Sequence, residues 1–117
     1  MKKLLILLSV VFVATFGIAA INAIETGDVT IEIRGVQDKS GWEICAYKVL
    51  EDSTRTLSAV LTTGGSGTVT FQGIPVGTKV DFIPTQREGF IAVPVIEHVV
   101  TLGSQKRDIS VYPIRNE

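Results

Sequence analysis

Apolar and polar residues alternate along much of the chain in short stretches, and this period of two predicts β-strands. The clearest stretch is 64–82. Val69 and Phe71 fall on one face of a first strand, and Val80 and Phe82 fall on one face of a second. The Gly-Ile-Pro-Val-Gly sequence between them predicts a turn, because proline fixes φ and glycine supplies conformational freedom. Residues 64–82 therefore predict a complete strand, turn and strand, for which the rest of the chain provides partners.

Five further stretches are predicted to be strands: 29–34, 42–50, 57–62, 96–102 and 109–112. Short tethers and polar clusters separate them, so we expect a tether at 24–27 and polar turns at 37–41 and 103–108. Residues 90–95 are apolar but contain Pro94, which removes a ladder donor and indicates an edge or irregular segment. Seven short strands without an amphipathic helix predict an all-β fold, a single seven-stranded antiparallel β-sandwich.

The N-terminal segment differs from everything that follows it. Lys2 and Lys3 form a short basic start, and residues 4–24 contain no charge. This pattern predicts a signal peptide at 1–23, with the β-sandwich domain at 24–117. A segment of this length can also span a bilayer, so an uncleaved anchor is the alternative and would be the domain's contact with a membrane. Both interpretations predict an exported domain, whether secreted, periplasmic or at the cell surface.

Composition narrows the function classes. The 117 residues allow one domain, and beyond residue 23 nine Lys and Arg face twelve Asp and Glu, a net charge of about −3. This balance does not predict nucleic-acid binding, which requires a basic surface. Cys45 has no second cysteine with which to form an internal disulfide, and it lies in an apolar run, so we expect a small buried hydrophobe.

Signatures of catalysis are weak in this sequence. The single histidine, His98, alternates with Ile96 and Val100 in a predicted strand, so we expect its ring to pack on or beside the core. The Gly-Gly-Ser-Gly sequence at 64–67 has neither the spacing of a nucleophile elbow nor the lysine of a phosphate loop. We therefore predict no catalytic residues, no metal site and no cofactor, and interpret the protein as a non-enzyme.

The central stretch carries a family resemblance. Residues 67–78, Gly-Thr-Val-Thr-Phe-Gln-Gly-Ile-Pro-Val-Gly-Thr, resemble the turn segment of the B-type repeats of Gram-positive collagen adhesins and pilins, and 88–90 resemble a Gly-Tyr pair that follows it there. Residues 35–41 and 44–47 are similar to the opening of a family of uncharacterised exported bacterial proteins. Both groups are transthyretin-like (prealbumin-like) sandwiches, close in architecture to immunoglobulin-like ones. The resemblance implies such a fold and a role at the cell surface.

The same comparison removes the distinctive chemistry of the adhesin repeats. Those repeats join a lysine on the first strand to an asparagine on the last, assisted by a buried acid. Here Arg34 stands at the lysine position, and a guanidinium is not a nucleophile at ordinary pH. The assisting position falls near Ile83 or Pro84, and Asn116 lies close to the C-terminus. We therefore expect no intramolecular isopeptide bond.

Three residues are the candidates for binding. Trp42 begins the second predicted strand, where its indole either caps the core or contacts a sugar or peptide. Phe90 either plugs an open end of the sandwich or contacts a partner from a loop tip. Arg87 lies in the same loop as Phe90.

These observations predict an exported, non-enzymatic binding or structural domain at the bacterial cell envelope or surface. Its partner would be an envelope protein or a glycan. The alternative is a self-assembling, pilin-like fibre subunit that adds strands at an edge, for which 90–95 is the candidate. A small transthyretin-like hydrolase is a remote alternative, because it would require several His and Arg residues around a cleft.

Overall fold

The computed structural model describes residues 24–114, so the predicted leader at 1–23 and its helix lie outside the described residues. The described chain is all-β. Its eight strands are β1 (Thr26–Arg34), β2 (Glu43–Val49), β3 (Arg55–Thr62), β4 (Thr68–Pro75), β5 (Lys79–Pro84), β6 (Phe90–Ala92), β7 (Val95–Val99) and β8 (Gly103–Pro113). The predicted number of seven is wrong, because 90–95 contributes a short strand of its own. No helix in residues 24–114 is long and apolar enough to cross a membrane.

The strands form two four-stranded sheets. Sheet 1 has the order β4-β1-β8-β6, and sheet 2 has the order β3-β2-β5-β7. Sheet 2 is antiparallel, but β1 and β8 pair in parallel, from Gly27 opposite Gly103 to Arg34 opposite Ser110. The prediction of a fully antiparallel sandwich is therefore wrong. Alternation of side chains indicates which face of a strand is buried and carries no information about the direction of its neighbour.

Two boundaries differ from the sequence prediction. Residues 103–108, predicted to be a polar turn, are the first half of β8, and the predicted tether at 24–27 already contains the start of β1 at Thr26. Gln105 and Arg107 lie on the same side of β8 as the buried Ile109, which shows why the apolar pattern is missing there. Pairing with β1 along its whole length makes this polar segment a strand.

The core lies between the sheets. Val29, Ile31 and Ile33 of β1 are fully buried, which confirms their predicted inward face. Phe71 of sheet 1 and Phe82 of sheet 2 meet across the core with ring centroids 5.2 Å apart. The predicted turn at 73–77 is confirmed in part: residues 73–75 still belong to β4, and the chain turns at 76–78, with positive φ at Gly73 and Gly77.

The two ends of the sandwich have different loops. One end carries the segments 35–41, 63–67 and 85–89, together with the end of β8. We call it the site end, because the candidate binding residues Trp42, Arg87 and Phe90 lie there. The N-terminal end carries the start of β1 and the turns 50–54, 76–78 and 100–102. Strand β1 separates the two ends by about 25 Å, given a rise of about 3.3 Å per residue.

Candidate binding site

The three predicted binding residues converge at the site end. Trp42 directly precedes β2, Arg87 comes from the loop between β5 and β6, and Phe90 is the first residue of β6. The guanidinium carbon of Arg87 lies 4.3 Å from the centroid of the Trp42 ring, which is a cation–π contact. The Phe90 ring meets the indole edge-on, with centroids 5.9 Å apart and planes at 80°. The chain therefore forms one aromatic and cationic cluster from residues that are about 45 positions apart.

Trp42 is held rigidly by Thr63. The backbone N–H of Trp42 donates to Oγ1 of Thr63 at 2.9 Å, and the backbone N–H of Thr63 donates to the Trp42 carbonyl at 2.9 Å. The Thr63 hydroxyl in turn donates to the carbonyl of Lys39 at 2.6 Å. Thr63 is buried, and its hydroxyl ties the start of β2 to the end of β3 and to the loop before β2.

Arg87 lies over the ring with its head group tied to the neighbouring loop. Its Nη2 donates to the carbonyl of Ser40 at 3.1 Å. Gly41 leaves room for this arrangement, because a Cβ there would lie 2.8 Å from the same nitrogen, and its φ of 75° also favours glycine. None of the salt bridges formed by residues 24–114 includes Arg87. Its charge is therefore available to an anionic ligand.

An open pocket of about 470 Å³ lies beside this cluster. Its lining combines apolar groups with two opposite charges: Gly35, Val36, Gln37, Asp38, Trp42, Arg87, Phe90 and Pro113. A second open pocket of about 380 Å³ has Arg87 in its wall together with Glu43, Thr62 and Thr85. Arg87 thus borders both depressions at the site end, and a ligand in either one would contact its guanidinium.

Asp38 supplies the negative charge of the first pocket. Its Oδ1 accepts hydrogen bonds from the hydroxyl of Ser40 at 2.7 Å and from the backbone N–H of Ser40 at 3.2 Å. These two bonds lower the pKa of the Asp38 carboxyl below its ordinary value, and the charge of Arg87 lowers it further. Asp38 is therefore ionised at neutral pH, opposite the cation.

One polar group in the cluster has no partner. The indole Nε1 of Trp42 is buried, and no hydrogen-bond acceptor in residues 24–114 reaches it. An unsatisfied buried donor costs on the order of 1–3 kcal/mol. Buried donors in a protein core usually have a hydrogen-bond partner, so the Trp42 indole N–H is an exception at the edge of this pocket.

The outcome for the three candidates is specific. Trp42 is 1% exposed and packs on the core, with Arg87 over its ring, so of the two predicted roles it caps the core. Phe90 is partly buried against the same core, as expected of a plug, and still borders the pocket. Sequence reasoning missed Asp38 and Thr63 as parts of this site. The Asp-x-Ser spacing at 38–40, typical of a turn in which the side chain caps the backbone, was the available signal for Asp38.

His98 lies in a separate polar cluster. Its Nδ1 accepts a hydrogen bond from Nη1 of Arg107 at 2.9 Å, which leaves its Nε2 to donate to Oε1 of Gln105 at 3.1 Å. Its ring packs beside Phe82, as predicted for a histidine at the margin of the core. Within residues 24–114, His, Cys, Asp and Glu do not gather in any group of three that could hold a metal ion. Cys45 is half-buried on the outer face of sheet 2, less buried than predicted.

Comparison with known proteins identifies no relative of this chain. No protein-family model matches the chain, and no curated protein matches it significantly. The resemblance of residues 67–78 to the adhesin repeats consequently stays a prediction. The local geometry that it implied, a turn between two strands, agrees with β4 and β5.

Proposed function

We propose that this protein is an exported, non-enzymatic binding domain of the bacterial cell envelope, built on a transthyretin-like sandwich. The pocket bordered by Trp42, Arg87 and Phe90 is its binding site. The observation that carries the proposal is the convergence of these three side chains on one open pocket, with a guanidinium that forms no salt bridge within residues 24–114. The role at the envelope rests on the charge-free segment at 4–24 and on the resemblance of residues 67–78 to surface repeats.

The geometry favours an acidic segment of an envelope protein as the ligand. A glycan that stacks on tryptophan needs an accessible ring face, and Trp42 is almost fully buried beneath Arg87. Val36, Phe90 and Pro113 offer apolar surface beside the guanidinium instead. A short extended peptide with a carboxylate next to an apolar side chain would satisfy both features, since arginine binds carboxylates through paired hydrogen bonds.

The experiment is a binding screen of the full chain against acidic peptides and acidic oligosaccharides, followed by measurement of the best ligand on two variants. Arg87→Gln should lower the affinity for the peptide at least about tenfold, because the variant loses a charge-assisted hydrogen bond to the ligand. Arg107→Gln removes the same charge at a distance from the pocket and should leave affinity unchanged. Equal affinity of wild type and Arg87→Gln would refute the site. A preference for oligosaccharides would refute the protein ligand.

A second candidate function, assembly by strand addition, is favoured by one edge of sheet 2. The predicted edge at 90–95 forms only the three-residue β6, but β3 is an eight-residue edge strand whose only charged residue is Arg55. The Trp42 to Thr63 hydrogen bond sets the alternation of the β2–β3 ladder, so the backbone groups of Val60 point away from β2. An uncharged edge with free backbone groups can pair with another chain.

Sedimentation velocity over a wide concentration range tests this second function. Self-assembly through β3 predicts larger species at high concentration, and Val60→Pro should abolish them because it removes an outward N–H without disturbing the pairing with β2. Thr70→Pro removes an outward N–H from the β4 edge of sheet 1 and serves as the control. A chain that stays monomeric throughout would exclude the fibre function and would leave the pocket proposal untouched.

A further inference from the structure

Exposed apolar side chains gather at the N-terminal end of the sandwich. Four of them are between 41% and 65% exposed: Ile24, Val76, Val99 and Leu102. We call this set the apolar tip. Large aliphatic side chains with this exposure are normal when they are scattered singly, but a group at one end of a domain marks an interaction surface.

Backbone hydrogen bonds hold the segments of the apolar tip together. The N–H of Val76 donates to the carbonyl of Glu25 at 2.9 Å, next to Ile24. Gly77 donates to Val100 at 2.8 Å, and Val100 donates to Thr78 at 3.0 Å, so the two turns pair with each other. Gly27 pairs with Gly103 in the parallel ladder, which brings Leu102 alongside the start of β1.

The sequence that precedes Ile24 indicates which kind of surface the apolar tip would meet. Residues 4–24 contain no charged side chain, and Ile24 is itself a member of the tip. If this segment lies in a bilayer, the first part of the folded domain to meet the membrane is the end that carries Ile24. Val76 lies on the turn that bonds directly to Glu25, and Leu102 precedes the residue that pairs with Gly27. Val99 ends β7 next to Val100, which bonds the Val76 turn.

The charges at this end favour a neutral lipid surface over an anionic one. Glu25, Glu51 and Asp52 are exposed there beside Lys79, so this end is net negative. Burial of aliphatic side chains in the interface between headgroups and acyl chains is favourable without anionic lipid, because it removes apolar surface from water. We therefore expect contact with neutral lipid.

We propose that the apolar tip rests in the interface of the membrane that holds the N-terminal segment, so that the sandwich stands on its N-terminal end and directs the Trp42 pocket away from the lipid. The proposal rests on the export of the chain and on the uncleaved-anchor interpretation of residues 4–24, and it uses none of the residues of the pocket. Its partner is a lipid surface, and its consequence is a fixed orientation of the domain.

The test measures the depth of tryptophan probes in the full chain, with its N-terminal segment retained and reconstituted into phosphatidylcholine vesicles whose acyl chains carry bromine, a contact quencher. Leu102→Trp places a probe in the tip, and Val76→Trp provides a second one on another turn in case the first variant misfolds. Ile91→Trp is the matched control, an exposed aliphatic position near the site end. Trp42 is the only native tryptophan and provides a constant background.

We expect brominated lipid to remove most of the added emission from Leu102→Trp and Val76→Trp and none of it from Ile91→Trp. Equal emission of the tip probes in brominated and ordinary vesicles would overturn the proposal, because a domain that is only tethered keeps its tip in water. Equal quenching of all three probes would also overturn it, since the domain would then have no fixed orientation. Neither result bears on peptide affinity, so the pocket is tested independently.

Discussion

Arg55 and Asp81 form an ion pair that reaches across an intervening strand. The Nε of Arg55 on β3 donates to Oδ2 of Asp81 on β5 at 2.6 Å, and β2 lies between these strands. Val80 and Phe82 point into the core, so the Asp81 side chain between them lies on the outer face of sheet 2. It is nevertheless nearly fully buried there. Its Oδ1 accepts the backbone N–H of Glu97 on β7 at 2.6 Å. One carboxylate thus connects three strands of the sheet.

Replacement of Asp81 should therefore be costly. Asp81→Ala removes two charge-assisted hydrogen bonds from a buried position, so we expect the free energy of unfolding to fall by about 2–4 kcal/mol in urea denaturation. The control is Asp108→Ala, which removes an exposed ion pair with Arg34 at 3.7 Å and should cost at most about 0.5 kcal/mol. A similar decrease in the free energy of unfolding for the two variants would show that the buried ion pair stabilises the fold no more than the exposed one.

The contact between Arg87 and Trp42 predicts a spectroscopic change. Arg87→Ala uncovers the indole, so the emission of this only tryptophan should shift to longer wavelength, and stability should fall by about 1 kcal/mol. Arg107→Ala, at a distance from the ring, should leave the emission unchanged. An unshifted spectrum of Arg87→Ala would mean that Arg87 does not cover the ring in solution.

Gly27 is required by close packing of two backbone segments. A Cβ at this position would overlap the carbonyl oxygen of Thr101, so Gly27→Ala should lower the free energy of unfolding by about 2–4 kcal/mol. Gly64 has no atom within 4 Å of such a Cβ, and its φ is not in the left-handed region. Gly64→Ala should therefore be neutral or raise stability by up to about 1 kcal/mol. Thermal unfolding of both variants compares the two glycines directly, and equal midpoints would contradict the packing argument.

Asp38 should make stability depend on acid pH. Its pKa lies below the ordinary value of 3.8 because Ser40 donates two hydrogen bonds to the carboxylate. Folding therefore gains stability from Asp38 above pH 3.8, and this gain is lost as the pH falls through the lowered folded-state pKa. Ser40→Ala should raise the pKa of Asp38 towards 3.8 in an NMR titration of the carboxyl carbons. Asp52, which bonds Thr54 in the same way, should be unaffected and is the internal control.

The strands with an apolar inward face were predicted from the sequence. A strand whose inward positions are polar was missed. The alternation of Val29 and Ile31 identified β1, because a strand in the middle of a sandwich must bury one side. The first half of β8 was missed, since Gln105 and Arg107 occupy inward positions at the open side of the sandwich and bond His98. Hydrophobic periodicity cannot detect a strand whose inward positions are polar.

The arrangement of the candidate site could not be predicted from local sequence. Trp42, Arg87 and Phe90 were named as candidate binding residues, but their contacts with one another were not predicted. The contributions of Asp38 and Thr63 depend on how loops from different strands meet, which local sequence does not specify. The sheet-spanning role of Asp81 has the same origin, because its partners are 26 and 16 residues away.

The bulge opposite Asp81 leads to a last prediction. Glu97 has a φ of 55°, a left-handed conformation that is unfavourable for a residue with a side chain, and the pairing of β5 with β7 is shifted there. Glu97→Gly should raise the free energy of unfolding by up to about 1 kcal/mol, because glycine adopts this φ without a steric cost. Lys79→Gly, at a regular exposed strand position, should instead lower it by about 0.5–1 kcal/mol.

The double variant with Asp81→Ala tests what holds this conformation. If the hydrogen bond from the Glu97 N–H to Asp81 keeps residue 97 left-handed, its loss lets the native Glu97 relax, and glycine then has less strain to relieve. The gain from Glu97→Gly should consequently be smaller in the Asp81→Ala background than in the wild type when both are measured by urea denaturation. Strict additivity would show that the bulge is set by the chain between β6 and β7 and not by the buried carboxylate.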